Sequence, residues 1–227
     1  MLRIAIDGAC RRNGKPDCVS SGGVFILHIS EEGKATHCET RSVVEYESTN
    51  QRGELSALIE ALKYIHASRV TEAQIVTDSE YLFNAMTKGW CTRWEINDWR
   101  TASGDAVKNK DLWERVSNLV DTLFAEVTYY HIKGHVMSLG KATARKLLEA
   151  DGSGRLLYIE LYKRYKSLFR EDVFDDPFAS NLRNAQDLSE KNNGFILPLK
   201  ELRNFVVINA AADAIATKAV EAADVSE

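Results

Sequence analysis

Four acidic residues stand at positions where a buried carboxylate is costly unless it binds a cation. Asp7 and Asp78 each end an apolar run. Glu54 lies in the first turns of a segment with helical periodicity, and Asp213 lies in an Ala-rich helical pattern near the end of the chain. Hard ions such as Mg²⁺ take oxygen ligands, and two such ions about 3.5–4 Å apart can activate water and stabilise a leaving oxygen. The four acids therefore predict a two-metal nuclease site.

Other interpretations of single residues compete with this site. A lone strand-end Asp can be a helix cap or a solvated surface group. His131 and His135 have the H-x-x-x-H spacing of a zinc pair, but they straddle a strand end and a Gly, so helical ligand geometry fails. Asp151 is a rival for the fourth acidic position; Asp213 is favoured because it keeps an Asn-x-x-x-Asp spacing in a helical context.

The elements that must position these acids can be read from hydrophobic periodicity. Three strand patterns with short turns open the chain and indicate an antiparallel meander over residues 2–7, 22–29 and 35–44. Helical periodicity follows from Thr49 to Ala67, with Ser48 or Thr49 as its cap. A strand, a short helix, a longer helix and a fifth strand are predicted over residues 71–77, 79–87, 108–124 and 126–132. This order predicts an α/β fold with a mixed five-stranded sheet flanked by helices.

Composition limits the class of protein. The 227 residues are 44% hydrophobic and 27% charged, with no apolar run near the ~18 residues of a membrane span and no secretory signal at the start. A net charge of -4 argues against indiscriminate coating of nucleic acid. The cysteines show neither a C-x-x-C pair nor zinc-ligand spacing, so we expect a cytoplasmic protein with four free thiols at Cys10, Cys18, Cys38 and Cys91.

Several strings together resemble the motifs of type 1 ribonuclease H, in that family's order. They cover residues 7–13, 49–55, 76–81, 133–135 and 209–213. The stretch from Trp90 to Trp113 is similar to the family's substrate-handle region. The resemblance covers about residues 1–137 and 204–220 and implies a ribonuclease H-like fold.

The resemblance implies an endonuclease that cuts the RNA strand of RNA–DNA hybrids with two Mg²⁺ ions, or Mn²⁺, leaving 5′-phosphate and 3′-hydroxyl ends. Asp7 would bridge both metals. Glu54 and Asp78 would complete one metal site and Asp213 the other, with Glu54 also placed to respond to the 2′-hydroxyl beside the scissile phosphate. His135, on the loop after the last strand, would assist proton movement or product release.

Contacts with the hybrid are implied as well. Short amide side chains can donate to and accept from the 2′-hydroxyls that RNA displays in its wide minor groove, and Asn13, Asn50 and Gln51 match the family positions that do this. Asn13-Gly14 can equally be a simple turn, and the tryptophans can be core residues, as we expect for Trp90. The remaining substrate-binding residues implied by the resemblance are Cys10, Thr49, Trp94, Trp99 and Thr101.

The chain departs from the family pattern in two places. The handle carries Glu95 and Asp98, so we expect weaker, more salt-sensitive hybrid binding there. Residues 1–139 and 204–223 are predicted to form the catalytic domain, and residues 140–203 an inserted, mostly helical segment. Residues 141–170 hold eight basic and three acidic residues, with aromatics at helical spacing. This segment is either a second clamp on nucleic acid or a packed amphipathic helix.

Two other functions remain open on the sequence. A weak hybrid- or dsRNA-binding module would have no need of four clustered acids. A junction resolvase or proofreading exonuclease would share the acids but not the Asn13, Asn50 and Gln51 set, and a fold alone does not fix function. We expect a monomer that acts on RNA–DNA hybrid without a membrane; a protein partner bound through the insertion is unknown.

Overall fold

The computed structural model describes residues 1–15, 17–136 and 177–224. The strands in these ranges are β1 (Leu2–Arg11), β2 (Val19–Ile29), β3 (Ala35–Tyr46), β4 (Glu72–Thr77) and β5 (Glu126–His131). The helices are α1 (Asn50–Ser68), α2 (Glu80–Thr87), α3 (Trp90–Ile96), α4 (Lys110–Asp121), α5 (Pro177–Asn193) and α6 (Leu199–Asp224). The α/β class predicted from periodicity is confirmed.

The strands form one mixed sheet in the order β3-β2-β1-β4-β5. The pairs β1–β2 and β2–β3 are antiparallel, whereas β1–β4 and β4–β5 are parallel. Ala5 of β1 pairs with Val76 of β4. Because Asp7 and Asp78 each follow this pair by two residues, the register sets both acids side by side just beyond the stretch where β1 and β4 pair. The strand predicted to end at residue 7 in fact continues to Arg11, because it stays paired with β2.

Side chains alternate between the two faces of the sheet, and each face has its own core. Leu2, Ile4 and Ile6 are buried in a core shared with α1 and α4. Ala5 and Val76 are buried in a second core, formed largely by α6. Since the strand period is two, Asp7 continues the face of Ala5, and Asp78 follows the face of Val76. Both acids are thus directed to the side of the sheet that α6 covers.

Helix α6 approaches the sheet closely at the level of Asp7. A Cβ atom added to Gly23, the β2 residue paired with Asp7, would lie 2.2 Å from the Ala212 carbonyl oxygen. The Ser21 hydroxyl donates to the Ala216 carbonyl at 2.5 Å. Only glycine fits this contact. The contact brings the turn of α6 that carries Asp213 against β2, and β2 pairs with β1, the strand of Asp7.

Helix boundaries agree with the sequence at some ends and differ at others. The Thr49 side chain accepts a hydrogen bond from the Arg52 amide at 3.3 Å, so Thr49 is the cap of α1. The last helix begins at Leu199, five residues before the predicted start at 204, and its added first turns are anchored by the buried Leu202. The basic segment of residues 141–170, with its aromatics at helical spacing, and the rival acid Asp151 lie outside the described residues. The domain boundaries, including an insertion over 140–203, stay a prediction.

The prediction of four free thiols is wrong. Cys10 and Cys18 form a disulfide, while Cys38 and Cys91 are not disulfide-bonded. The β1–β2 pairing explains the bond: Cys10 is opposite Ser20, so the hairpin brings the Cα atoms of the two cysteines to 6.8 Å. No helix among the described residues is both long enough and apolar enough to span a membrane.

Candidate active site

Asp7 is the most buried of the four predicted acids, with 7% of its surface exposed. Its Oδ1 accepts a hydrogen bond from the Gly8 amide at 2.7 Å. Burial raises the pKa of Asp7 well above the ordinary value, and the negative charges of Asp78, Asp213 and Glu54 raise it further. The structure therefore brings Asp78, Asp213 and Glu54 within electrostatic reach of Asp7.

Glu54 reaches the cluster from α1, on the opposite face of the sheet. Its Oε1 accepts from Asn50 Nδ2 at 3.0 Å, and its Oε2 accepts from the Ser79 hydroxyl at 2.6 Å. A Cβ atom on Gly8 would lie 2.7 Å from Glu54 Cγ, so the missing side chain lets the glutamate lie against β1 at Gly8. Burial raises the pKa of Glu54, although the hydrogen bond from Ser79 opposes that rise.

Asp78 is confined between the turn after β5 and helix α6. A Cβ atom on Gly134 would lie only 2.2 Å from Asp78 Oδ2. Burial raises the pKa of Asp78, while the positive charge of His135 and a hydrogen bond from the Asn209 side chain lower it. His135 is exposed and adopts a left-handed backbone conformation, φ +54°. The predicted catalytic histidine therefore lies beside a predicted metal ligand.

Asp213 completes the group from α6 and is only partly buried. Its Oδ1 is 3.5 Å from the Thr217 hydroxyl, one turn further along the helix. Among the described residues, no three side chains of the His, Cys, Asp and Glu types come close enough to form a closed metal-ligand cluster. The acids thus form an open cluster in this structure.

Proteins of a known family resemble this chain in sequence. A family model described as RNase H matches residues 2–150, about two thirds of the chain. The chain belongs to the RNase H family. A ribonuclease H of Treponema pallidum subsp. pallidum is 38% identical over 138 residues, covering 59% of this chain and 80% of that protein. A ribonuclease H of Cereibacter sphaeroides is 39% identical over 145 residues, covering 63% of this chain and 89% of that protein.

A solved structure agrees on the fold. The crystal structure of LC9-RNase H1, a type 1 RNase H with the type 2 active-site motif, superposes with a TM-score of 0.55. The two proteins are 24% identical, and the match covers 78% of this chain and 89% of that one. The predicted ribonuclease H-like fold is confirmed, and the protein is a ribonuclease H enzyme by its family and its curated relatives.

The residues that the RNase H resemblance assigns to the RNA strand lie near the acids to different degrees. Asn50 is engaged with Glu54, so one of its amide protons is committed inside the site. Gln51 is exposed one residue further along α1. Asn13 lies exposed in the β1–β2 turn, and Cys10, at the base of that hairpin, has its thiol engaged in the disulfide. Cys10 can therefore offer a backbone amide but no thiol to a ligand.

The substrate-handle region lies around α3 and the loop that follows it. Gln51 and Thr101 line the same cavity of about 510 Å³, together with Tyr81 and Lys108. A second cavity of about 450 Å³ is lined by Trp94, Arg93 and Arg100. Thr49 is exposed at the cap of α1.

The handle tryptophans serve as packing residues. Trp94 packs edge-on against the buried Trp113, with ring centroids 5.4 Å apart. Trp90 and Trp99 also pack against the core formed by α1 and α4, in agreement with the core role expected for Trp90. Both acids of the handle are exposed, and Glu95 accepts a hydrogen bond from the Ser117 hydroxyl of α4.

Three residues near the acids were absent from the predicted site. Ser79 bonds Glu54, Asn209 bonds Asp78, and His131 lies 3.1 Å from the Asp78 carbonyl oxygen through its Nε2. Asn209 has a sequence signal, because it precedes Asp213 by one helical turn and shares its face. The bonds of Ser79 and His131 depend on which strands are neighbours, and periodicity alone does not reveal that.

Proposed function

We propose that this ribonuclease H hydrolyses the RNA strand of RNA–DNA hybrids by two-metal-ion catalysis, leaving 5′-phosphate and 3′-hydroxyl ends. The observation that carries the proposal is the convergence of four acids around Asp7, beside the carboxyl end of β4 and just beyond the stretch where β4 pairs with β1. Ligands of open α/β sheets bind outside the carboxyl ends of the strands, at the point where the strand order reverses, as it does between β1 and β4. Like charges held together in a buried place cost stability, and a cation offsets that cost.

The donor set fits a hard divalent cation. Asp7, Glu54, Asp78 and Asp213 offer only oxygen ligands, which Mg²⁺ and Mn²⁺ accept. In addition, the buried Asn209 Oδ1 has no hydrogen-bond partner among the described residues, so another oxygen beside Asp78 is unsatisfied. Asp7 would be shared by both ions, with Glu54 and Asp78 completing one site and Asp213 the other. Bound ions would lower the pKa of a water molecule and stabilise the leaving oxygen.

The protein's own groups prepare the site for this chemistry. Asn50 and Ser79 hold the two Glu54 oxygens at a fixed angle, so this carboxylate is oriented before substrate arrives. Burial makes each acid sensitive to nearby positive charge. His135 is exposed at the rim, where its imidazole can take up or release a proton as product leaves.

Substrate choice is proposed to depend on both strands of the hybrid. Asn13, Asn50 and Gln51 supply amide groups toward 2′-hydroxyls, which only the RNA strand carries. Thr101 and Lys108 share a cavity with Gln51, and Arg93 and Arg100 line the next one, so the handle retains cations for DNA phosphates despite its acids. Trp94 and Trp99 contribute apolar ring surface beside these cations. We propose a monomer working in the cytoplasm, with Mg²⁺ as the usual ion and Mn²⁺ as a substitute.

Cleavage of labelled duplexes tests the proposal. An RNA–DNA hybrid, an RNA–RNA duplex and a DNA–DNA duplex of one sequence are incubated with the protein in Mg²⁺ or in EDTA, and product ends are mapped. We expect internal cuts in the RNA strand of the hybrid alone, only with metal, with 5′-phosphate ends. Cutting of the DNA duplex would favour a resolvase or exonuclease, and binding of the hybrid without cleavage would favour a binding module.

A further inference from the structure

The last turn of α5 is bonded to the final residue of β5, close to the acidic site. The His131 amide donates to Asn193 Oδ1 at 2.9 Å, and Asn193 Nδ2 donates to the His131 carbonyl at 2.9 Å. Asn193 Nδ2 also lies 2.8 Å from the Ser189 carbonyl and 2.9 Å from the Ser189 hydroxyl, which anchors the side chain to its own helix. Ser189 is fully buried, so this anchor is shielded from water.

The Asn193 carboxamide takes the place of a neighbouring strand. β5 is the edge of the described sheet, and an edge strand presents unpaired amide and carbonyl groups. A side-chain amide offers one acceptor and two donors, so it pairs with both backbone groups of His131 as a peptide group would. Asn193 therefore covers the open edge of the sheet at His131, the residue of β5 that pairs with Thr77 of β4.

The imidazole of His131 extends the connection from α5 to Asp78. Nε2 lies 3.1 Å from the Asp78 carbonyl oxygen, and Nδ1 lies 2.8 Å from Asn192 Nδ2. A carbonyl oxygen only accepts, so Nε2 carries the proton. In the neutral ring Nδ1 is then an acceptor, which matches the amide donor of Asn192. Both ring nitrogens are satisfied in a single tautomer, and the residue is only 4% exposed.

Asp78 is thus held from two sides by residues that follow one another in the chain. The ring of His131 bonds the backbone carbonyl of Asp78. The Ile132 amide donates to the carbonyl of Thr77, the residue before Asp78, at 3.0 Å. Gly134, two residues further, lies against the Asp78 carboxylate. A shift of the β5 end would therefore move the backbone and the carboxylate of Asp78 together.

We propose that His131, Asn192 and Asn193 are positioning residues that set the Asp78 carboxylate for catalysis. The proposal rests on the function proposed above, in which Asp78 is a metal ligand. Helix α5 lies beyond residues 2–150, the part that matches the RNase H model. The chain thus uses a helix outside its family-matching region to brace one of the family's acids.

Kinetics of single variants test this role. His131→Phe removes both ring nitrogens while keeping a flat ring beside Phe83, and Asn193→Ala removes the strand-like amide. His131→Gln is the rescue variant, because its amide N–H can replace Nε2–H. Glu190→Ala, an exposed change on the last turns of α5, is the matched control. Thermal unfolding of every variant is recorded beside kcat and KM on the RNA–DNA hybrid.

We expect His131→Phe and Asn193→Ala to lower kcat by about ten-fold or more, the usual effect of removing a group that orients a metal ligand. KM should stay close to that of the unaltered protein, since no hybrid contact is lost. His131→Gln should recover most of kcat, and Glu190→Ala should keep all of it. A merely structural network would lower the melting temperature in His131→Phe and His131→Gln alike and leave kcat unchanged in the folded protein.

A measurement without substrate completes the test. Long-range ¹H–¹⁵N NMR of the imidazole should show His131 as the Nε2–H tautomer, and Asn192→Ala should admit the Nδ1–H form. If Asn193→Ala is unfolded at the assay temperature, His131→Gln and Asn192→Ala decide the matter. An unaltered kcat in His131→Phe, or an Nδ1–H tautomer in the unaltered protein, would overturn the proposal. Absence of hybrid cleavage by the unaltered protein would instead refute the proposed function.

Discussion

Asp7 should make the metal-free protein less stable as the pH rises above the ordinary carboxyl range. Burial and the charges of Asp78 and Asp213 raise its pKa, so the native state holds a proton that the unfolded chain releases near pH ~4. The resulting loss in the free energy of unfolding is absent below that pH, grows as the pH rises, and is complete above the pKa of Asp7 in the folded protein. While it grows, one extra bound proton changes the free energy of unfolding by about 1.4 kcal/mol per pH unit.

Urea unfolding in EDTA measures this slope from about pH 4 to about pH 8. Asp7→Asn keeps the shape of the side chain but removes the ionisation, so its stability should fall less steeply, by up to about 1.4 kcal/mol per pH unit. The histidines with lowered pKa, His28 and His131, act equally in both proteins and cancel in the difference. Asp187→Asn on the exposed surface of α5 controls for the loss of a charge. Equal slopes, or an Asp7→Asn protein less stable at neutral pH, would refute the reasoning.

Three further predictions follow from single contacts. Gly134→Ala should lower kcat strongly, because the new Cβ meets Asp78 Oδ2 at 2.2 Å and must displace it; steady-state kinetics at a temperature where the variant is folded will show whether the carboxylate moved. Ser79→Ala removes both a bond to Glu54 and the cap of α2, so we expect a loss of about 1 kcal/mol in urea unfolding together with a lower kcat; full activity would contradict the assigned role. Reducing the Cys10–Cys18 bond should cost at most about 2–3 kcal/mol for so short a loop, measured by unfolding with and without dithiothreitol, and no change would show that the hairpin needs no cross-link.

The main features of the fold could be predicted because they depend on local periodicity. Apolar runs in residues 2–7 and 71–77 indicated two strands, and the i, i+3, i+4 pattern after Thr49 indicated α1. The second strand ends at Thr77, next to Asp78, whereas β1 continues past Asp7 to Arg11. The acids of the site were found because a carboxylate beside apolar runs is costly and therefore informative. Their convergence was an inference from the family order, and the Ala5–Val76 register now gives it a physical basis.

The errors and omissions depend on contacts between distant segments. The Cys10–Cys18 bond needs the hairpin register, which eight residues of spacing do not specify. The role of His131 needs α5, whose Asn192 lies 61 residues away in the chain. Residues 181–193 are rich in Asn, whose low helix propensity weakens the helical signal of α5. The bonds of Asn193 to β5 cannot be read from the sequence.

The most direct test of the central claim is the rate at which the unaltered protein and Asp7→Asn cleave the RNA strand of an RNA–DNA hybrid in Mg²⁺. Folding of the variant is checked in the same samples by circular dichroism. If Asp7 is the shared ligand of a metal-dependent site, the unaltered protein cuts the RNA strand and folded Asp7→Asn yields no product above the EDTA background. Cleavage by Asp7→Asn at the rate of the unaltered protein would contradict the assignment of the acidic cluster as the catalytic centre.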